Sequence, residues 1–462
     1  MKAILPPEIL SIIAIHSFGS FLGNFDKFTV WRLAFCLVCR YWRDVVYASP
    51  RAWRCIPVSL YCHAHEIAFI LDKAKRVEIH LYINLFPSLR RGARRKGQDP
   101  ISADVADMVF NLVADHCVQE LYLRALEYSS HDHIIGRVTQ LNTGRLRRVS
   151  LNLGGRRAAT TGPNIVGSVE VLRKSGLLQE LTLGRTFPPC DVAAVCANLT
   201  TLRLVSFSWF HSALWPNLAL VLAASKRITF LHLHDVECRQ GFPDDVPIPR
   251  LDHLTNLVLS SYHPSGLEVA AHIEMPALVN LRLDMYTNRM TKPALEAYVE
   301  VCRPFLQRVR MLDVGNFYAT TDDVVHFFGA MTSLRVLDLH RAAGSSQSFV
   351  DEFWSIADDG LLKLPQLEDI RLGVALSDNE RLSMLLSGVG SVDFHLLTRR
   401  PVCWGSRSSR ISTSVAAELA RQRVYLDSSM VDGVMVTTPS SRVHEPFVEE
   451  RISRAGDFER YL

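Results

Sequence analysis

A short apolar phrase recurs through the middle of the chain: an apolar residue, two variable residues, a second apolar residue, one variable residue and a third apolar residue. Leucine fills 24 of its 33 apolar positions, and successive copies begin 21 to 33 residues apart. One match means little in a leucine-rich chain, but an array at this spacing indicates a structural repeat. Ala74-Val77-Ile79 is an earlier, degenerate copy. The eleven copies are Val118-Leu121-Leu123, Leu146-Val149-Leu151, Leu178-Leu181-Leu183, Leu199-Leu202-Leu204, Ile228-Leu231-Leu233, Leu254-Leu257-Leu259, Leu278-Leu281-Leu283, Val309-Leu312-Val314, Leu334-Leu337-Leu339, Leu367-Ile370-Leu372 and the weaker Val389-Val392-Phe394.

Each copy of the phrase predicts a strand. Alternating apolar positions over a few residues give a short β-strand with one buried face. Helix-compatible stretches lie between copies, as at residues 292–301, 321–328 and 377–386. One strand and one helix in each repeat of about 20 to 30 residues resembles the leucine-rich-repeat domain. The resemblance implies an α/β fold, a horseshoe-like solenoid of parallel strands.

One position departs from the regular repeat. Leucine-rich repeats place Asn or Cys three residues after the last apolar residue, where the side chain bonds the backbone of the turn. Here that position holds Phe207, Val236, Tyr262, Tyr286 or Phe317. We therefore expect an irregular solenoid with uneven helices and long loops. An α/β sheet that is not a solenoid stays open as the alternative.

The first 55 residues predict a small helical unit that is very apolar for its size. Pro6 and Pro7 suit the first turn of a helix, where a missing amide hydrogen costs nothing, and Glu8 suits the positive end of the helix dipole. A second helical stretch spans residues 30–47 and is apolar on more than one face. Units this short often need a partner, and exposed apolar surface usually marks an interface.

The same segment resembles an F-box, the helical module that binds the Skp-type adaptor of SCF ubiquitin ligases. The resemblance covers residues 4–55, and an F-box followed by leucine-rich repeats is a known arrangement, as in fungal F-box proteins. The loop at residues 17–28 is longer than the family pattern, and an ordinary helical hairpin capped by a tryptophan is the alternative. The resemblance implies adaptor contacts by Leu5, Pro6, Glu8, Ile9, Leu10, Ile13, Leu37, Val38, Cys39, Trp42, Pro50 and Trp53.

Composition sets the class of protein. The 462 residues are 48% hydrophobic and 21% charged, which is typical of a folded globular chain. No apolar run reaches the roughly 18 residues of a membrane span, and residues 6–8 interrupt any signal peptide. We therefore expect a cytoplasmic or nuclear protein, or both, with no membrane contact. We predict an F-box module at 1–58, a linker with a degenerate first repeat and a basic loop at 59–117, repeats at 118–400, and a C-terminal cap or partly disordered tail at 401–462.

Charge is unevenly distributed along the chain. Residues 1–160 carry 22 Lys and Arg against 13 Asp and Glu, whereas residues 161–462 carry 29 against 34. The basic excess lies in residues 90–96 and 145–157. Such clusters suit a nuclear-import signal, a phosphate-binding patch or a solvated loop. Nucleic acid prefers an unbroken basic stripe, which this chain lacks, so a nucleic-acid partner is less favoured than a protein partner.

The usual signatures of catalysis are absent from the sequence: there is no phosphate-binding loop, dinucleotide fingerprint, zinc-protease helix or nucleophile elbow. Cys36 and Cys39 form one Cys-x-x-Cys without a second pair, and residues 62–65 hold Cys and His without a companion cluster. His232 and His234 share a strand face and could meet Asp284, but an exposed strand favours ligand contact over metal. We expect a non-catalytic protein without cofactor or metal.

The residues between and just after the inward leucines should point outward on the concave face. With an F-box before it, such a face would present protein targets while the adaptor links the chain to a cullin. A non-ligase interaction scaffold and, less favoured, a nucleic-acid-binding repeat protein are the alternatives. The candidate substrate-binding residues are Tyr122, Arg203, His232, His234, Arg282, Asp284, Asp313, Asp338 and His340, with Arg124 and Arg371 on the same face.

Overall fold

A computed structural model describes this chain in two units, residues 1–199 with 444–462 and residues 200–443. No helix in the described ranges is long and apolar enough to cross a membrane. The residues described are 5–20, 32, 34–59, 63–84, 103–126, 136–154, 172, 175–184, 196–205, 208–209, 214–238, 246–261, 265–285, 292–317, 321–339, 366–374, 393–398, 424–426, 429–431 and 434–436.

The first unit begins with helices and continues as a parallel sheet. Its strands pair in chain order, β1 to β5, and every pair is parallel. The helices are α1 (Pro7–Ser20), α2 (Arg40–Tyr47), α3 (Ala64–Ala74) and α4 (Ala103–Ala114), with a 3₁₀ turn at Pro50–Trp53. The strands are β1 (Cys55–Ser59), β2 (Ile79–Asn84), β3 (Val118–Leu126), β4 (Arg148–Gly154) and β5 (Glu180–Gly184).

The second unit repeats the same plan. Strands β6, β8 and β10 to β16 form a parallel sheet in chain order, β7 pairs with β9, and β17 and β18 form an antiparallel pair. The strands are β6 (Thr201–Val205), β7 (Ser208–Trp209), β8 (Phe230–His234), β9 (Glu237–Cys238), β10 (Asn256–Ser261), β11 (Asn280–Met285), β12 (Met311–Phe317), β13 (Val336–Leu339), β14 (Asp369–Val374), β15 (Asp393–Thr398), β16 (Val424–Leu426), β17 (Ser429–Val431) and β18 (Val434–Val436). The helices are α5 (Leu214–Ala224), α6 (Ser265–Ala271), α7 (Lys292–Leu306) and α8 (Thr321–Gly329).

The central apolar residues of the repeated phrase lie side by side across each sheet. In the first unit Leu121 pairs with Val149 and Val149 with Leu181. In the second unit the row runs Leu202, Leu231, Leu257, Leu281, Leu312, Leu337 and Ile370. The six leucines of that row are fully buried. The predicted α/β fold of leucine-rich-repeat type, with one parallel strand per repeat, is therefore confirmed by the strand register.

The central residues of two of the weaker copies are displaced from where the phrase put them, one by two residues and the other by four. Phe394 pairs with Ile370, so it holds the central position and not the last. In β2 the central residue is Leu81, paired with Leu121, and not Val77. A strand has a side-chain period of two, so a shift of two or four residues leaves the same set of side chains facing inward. The sequence pattern alone cannot distinguish the two offsets.

The array also extends beyond the copies of the phrase. Ile56 of β1 pairs with Leu81, and Val424 of β16 pairs with Phe394, so a parallel strand stands before and after the recognised series. The helices expected at 292–301 and 321–328 are α7 and α8. The helix expected at 377–386 and most of the tail from 401 lie outside the described residues, and the domain boundaries stay a prediction.

The register predicts that the stability lost on truncating a leucine depends on the position of that leucine in the repeat. Leu257→Ala removes a fully buried side chain from the middle of the second unit's inward row and should lower the free energy of unfolding by about 2–5 kcal/mol. The same change at the exposed Leu220 of α5 should stay within about 0.5 kcal/mol of wild type. Urea unfolding followed by circular dichroism measures both. Equal losses in the two variants would contradict the inward assignment.

Candidate functional site

Large apolar side chains are exposed on the N-terminal helices. Leu37 and Val38, in the segment before α2, are 77% and 58% exposed. On α1, Leu10 and Ala14 are buried, whereas Ile9, Ile12 and Ile13 are exposed. The Tyr41 hydroxyl donates to the Leu5 carbonyl over 2.9 Å, which joins the start of α1 to α2. We call the exposed set the N-terminal apolar residues: Leu5, Ile9, Ile12, Ile13, Leu37, Val38 and Tyr41.

An aromatic junction around the buried Trp53 attaches these helices to the first repeats. The Trp53 indole donates to the Val46 carbonyl over 2.9 Å, and its ring contacts Tyr47 and Phe69 at centroid distances of 5.6 Å. The Arg32 guanidinium lies 5.4 Å from the Trp53 ring and donates over 2.6 Å to the carbonyl of Cys55 at the start of β1. Burial lowers the pKa of Arg32 to about 10, which leaves it charged at neutral pH. We call Arg32, Tyr47, Trp53 and Phe69 the Trp53 junction.

The residues assigned to adaptor contact therefore fall into three groups: buried, half-buried and accessible. Leu10 and Trp53 are buried within the unit, so any part they have in adaptor binding is indirect, through holding the helices in place. Trp42 and Pro50 are half-buried, and Trp42 packs on Phe35 with ring centroids 4.8 Å apart. The remaining eight are accessible: Leu5, Pro6, Glu8, Ile9, Ile13, Leu37, Val38 and Cys39.

The outward face of the first unit carries a row of polar contacts across five strands. Cys55, His80, Glu120, Arg148 and Glu180 occupy the position before each central apolar residue and follow one another in register. The Arg148 guanidinium donates to Glu120 over 3.1 Å and to Glu180 over 2.8 Å. Beside the row, the Tyr82 and Tyr122 rings stack at 4.4 Å with an angle of 8°. Both hydroxyls point to Glu120, at 3.4 and 3.5 Å.

The sequence analysis assigned none of the five residues of this row, Cys55, His80, Glu120, Arg148 and Glu180, to the outward face. It considered only positions after the central leucine, whereas the position before it also faces outward. A signal for this outward position was present in the sequence, because Glu120, Arg148 and Glu180 alternate in charge over three successive copies. Tyr122 was found, because it follows Leu121 directly.

The row has the residue types of a cysteine-dependent enzyme but not the geometry. His80 Nδ1 lies 3.2 Å from Glu120 Oε2 and 4.0 Å from Cys55 Sγ, so one nitrogen serves both groups. A catalytic histidine holds the nucleophile on one nitrogen and the carboxylate on the other. Burial raises the pKa of the Cys55 thiol to about 11 and so keeps it protonated. The row is therefore suited to holding the sheet face together and not to covalent catalysis.

Burial also decides the charge state of this row. A separation of 3.2 Å between His80 and Glu120 is compatible with an ion pair, but burial lowers the pKa of His80 to about 3. The ring is therefore neutral at physiological pH, so its contact with Glu120 is not an ion pair; its other nitrogen, Nε2, lies 3.2 Å from Gln119 Oε1. Burial raises the pKa of Glu120, with Arg148 opposing that shift.

On the second unit the charge of the outward face changes from strand to strand across the sheet. Arg203 and His232 are neighbours in register on β6 and β8. Farther along, Arg282 and Asp313 are neighbours on β11 and β12, with Arg282 Nε 3.5 Å from Asp313 Oδ2. Asp338 follows Asp313 in register on β13. The face thus passes from basic to acidic within one unit.

Several of these side chains are less accessible than expected. His232, Asp313 and Asp338 are buried, so the expectation that they face open solvent is wrong. The reason is that adjacent strands lie about 4.8 Å apart, and long neighbouring side chains cover one another. Arg203, His234, Arg282, Asp284 and Tyr122 are half-buried. His340 lies outside the described residues, as does the side chain of Arg371, and the substrate-binding role of the whole set stays a prediction.

The candidate metal ligands are not brought together. Register places Ser260 between His234 and Asp284, so two strand spacings, about 9.6 Å, separate that histidine from the aspartate. His232 Nε2 lies 3.1 Å from Ser260 Oγ, and His234 Nε2 lies 3.5 Å from Asp235 Oδ2. Within the described ranges no three metal-ligating side chains form a group.

The cysteine pair and the basic residues do not form sites either. Cys36 is buried and Cys39 exposed, and both are free thiols. Of the basic residues, Arg145 pairs with Glu78 at 2.9 Å, and Arg148 with two glutamates. Residues 90–96 and 156–157 lie outside the described part of the chain. The described arginines therefore do not form an unopposed basic stripe.

Comparisons with known proteins add little to this description. No family model matches the chain, and no curated protein matches it. Among solved structures, an internalin from Listeria monocytogenes is similar, at 11% sequence identity and a TM-score of 0.29, over 77% of this chain and 90% of that one. A score of that size carries no argument. The assignment to a leucine-rich-repeat type of fold therefore depends on the strand register of this chain.

The neutral His80 predicts sensitivity to acid. Its pKa is lower folded than unfolded, so below pH 6.5 the unfolded chain binds a proton that the folded chain does not. Stability should therefore fall by about 1.4 kcal/mol per pH unit from 6.5 toward 3. The raised pKa of Glu120 makes stability rise as the pH falls toward 4.5, which opposes the effect of His80. The His80 contribution is therefore obtained as the difference between wild type and a variant without that histidine.

The measurement is urea unfolding at pH 7.5, 6.5 and 5.5. His80→Gln should flatten the loss between pH 6.5 and 5.5, whereas His65→Gln, at an exposed histidine on α3, should leave it unchanged. Identical pH profiles for wild type and His80→Gln would contradict the buried neutral state.

Proposed function

We propose that this protein is the substrate-recognition subunit of an SCF-type ubiquitin ligase. In this proposal the N-terminal helices bind a Skp-type adaptor, the adaptor connects the chain to a cullin, and the repeat units hold a protein target. The observation that carries it is the exposure of Leu5, Ile9, Ile13, Leu37 and Val38, five apolar residues that the F-box pattern assigns to adaptor contact. Apolar side chains left accessible on adjacent helices are typical of an interface.

The packing of the same unit supports this role. Leu10, Val46 and Trp53 fill the interior, so the helices have a core of their own and the exposed apolar residues are not needed to complete it. A helix that is apolar on both its buried and its open side is expected to bury the second side against a partner. The Trp53 junction holds that side fixed relative to β1, so a bound adaptor would have a defined position relative to the first repeats.

A receptor of this kind needs no catalytic group of its own. It accelerates ubiquitin transfer by keeping a target lysine close to a charged conjugating enzyme, at an effective concentration in the mM range or so. The buried, protonated Cys55 and the shared nitrogen of His80 are compatible with this role, since they belong to packing and not to a reaction. Specificity would then depend on the outward side chains of the sheets.

The adaptor interface is tested with Leu37→Asp combined with Val38→Asp. Each removes an exposed apolar contact and would place a charge in the interface, and apolar anchors cost about 2 kcal/mol or more each when lost, roughly 30-fold in Kd per residue. Co-expression with a Skp-type adaptor followed by affinity purification should recover adaptor with wild type and not with the double variant. Both side chains are exposed, so the fold should be unaffected.

The matched control is Leu220→Asp, which makes the same chemical change at an exposed leucine of the second unit. It should retain wild-type adaptor recovery. Full recovery of adaptor by the Leu37 and Val38 double variant would overturn the assignment. Adaptor recovered without any cullin would instead favour the alternative of a non-ligase interaction scaffold.

A further inference from the structure

Lysine is rare in this chain, although positive charge is not. Of the 51 residues that are Lys or Arg, 42 are arginine and nine are lysine. Lysine is normally among the commonest residues of a globular protein. Residues 364–462 contain 12 arginines and no lysine. The nine lysines are Lys2, Lys27, Lys73, Lys75, Lys96, Lys174, Lys226, Lys292 and Lys363.

The geometry of arginine explains only part of this bias. Arg148 donates to two glutamates at once, which uses the rigid fork of a guanidinium and could not be reproduced by an ammonium group. Other arginines make no such use of the fork. Arg147, Arg227 and Arg310 are exposed and form no ion pair with another described residue. A single charge on an open surface contributes little to stability, so lysine would serve equally well at these positions.

The two cations differ in their chemistry with ubiquitin. A neutral lysine amine attacks the carbonyl carbon of a ubiquitin thioester, so that an N–C bond forms, the C–S bond breaks and one amine proton ends on the departing thiol. The guanidinium of arginine stays protonated in proteins and is not a nucleophile. An arginine therefore keeps the positive charge of a lysine without being an acceptor of ubiquitin.

A receptor subunit would be exposed to this reaction continuously. In the proposed function, a bound target reaches an effective concentration in the mM range or so near the charged conjugating enzyme. The exposed amines of the receptor would share that proximity, and they would remain there after each target leaves. Every exposed lysine of the receptor is then a competing acceptor, whereas an arginine at the same position is not.

Few accessible amines remain among the lysines whose side chains the structure describes. Lys73 Nζ lies 2.7 Å from Asp72 Oδ2 and 5.3 Å from the centre of the Phe69 ring. That amine is engaged by a carboxylate and an aromatic ring, and its side chain is half-buried, which makes it less available for attack. Lys75, directly after α3, and Lys226, in the turn before β8, are exposed.

We propose that the shortage of lysine protects this chain from ubiquitination by the ligase that it serves. Lys75 and Lys226 are the residual acceptors among the described residues. This inference rests on the proposed function, because only an assembled ligase brings a charged conjugating enzyme to the chain.

The experiment adds lysines to the full chain without changing its charge. The triple variant Arg147→Lys, Arg227→Lys and Arg310→Lys raises the exposed lysines of the described residues from two to five. Each form is assembled with the adaptor, a cullin and a charged conjugating enzyme, and ubiquitin on the chain is quantified and mapped by mass spectrometry. The triple variant should carry about twofold more ubiquitin than wild type, the excess lying at the three substituted positions. The matched control changes the same three arginines to Gln and should carry no more than wild type, with an unchanged melting temperature in both variants.

The outcomes separate this inference from the ligase assignment. An assembled ligase that modifies the triple-lysine variant no more than wild type overturns the protection alone. Modification of wild type at Lys73 in preference to Lys75 and Lys226 overturns the assignment of the residual acceptors. Adding Leu37→Asp and Val38→Asp to the triple-lysine variant should abolish its gain, and a gain that persists without adaptor overturns self-modification. A wild type that recovers neither adaptor nor cullin overturns the ligase role, and this inference falls with it.

Discussion

The architecture depends on one row of apolar side chains that keeps its register from strand to strand. Leu231, Leu257 and Leu281 lie directly beside one another, and each is fully buried. Full burial of a leucine contributes about 1.5–3 kcal/mol, so a one-residue slip, which would turn every such residue outward, is strongly disfavoured. The same constraint fixes which residues face outward. The surface available for recognition is therefore determined by the core.

The sequence predicted this row well because its period is strong and its residue type nearly constant. It failed where the information is weaker. The centre of β15 was displaced by two residues, to Phe394, and that of β2 by four, to Leu81, since a period of two leaves such even offsets undetermined. The burial of Asp313 and Asp338 was missed for another reason: accessibility on a strand depends on how long the neighbouring strand's side chains are, and Arg282 is long enough to cover Asp313.

The F-box pattern identified candidate functional residues but could not assign a role to each of them. Leu10, Trp53, Leu37 and Val38 all belong to the F-box pattern, yet the first two are buried and the last two exposed. A linear motif gives no direction for a side chain, and direction decides whether a residue builds the unit or contacts a partner. Arg282 illustrates the same limit, because only the register reveals that it has an aspartate beside it.

The Trp53 junction would couple the proposed binding of an adaptor to the folding of the first repeats. Trp53 packs on Phe69 of α3, and Arg32 donates to Cys55 at the first strand, so the helices and the start of the sheet share buried contacts. A partner that binds only the folded helices stabilises them by mass action. Through these contacts, part of that stabilisation must reach β1 and β2, because each repeat depends on its neighbours. If an adaptor binds the N-terminal helices, its binding is thermodynamically linked to the order of the first repeats, even though it would contact neither strand.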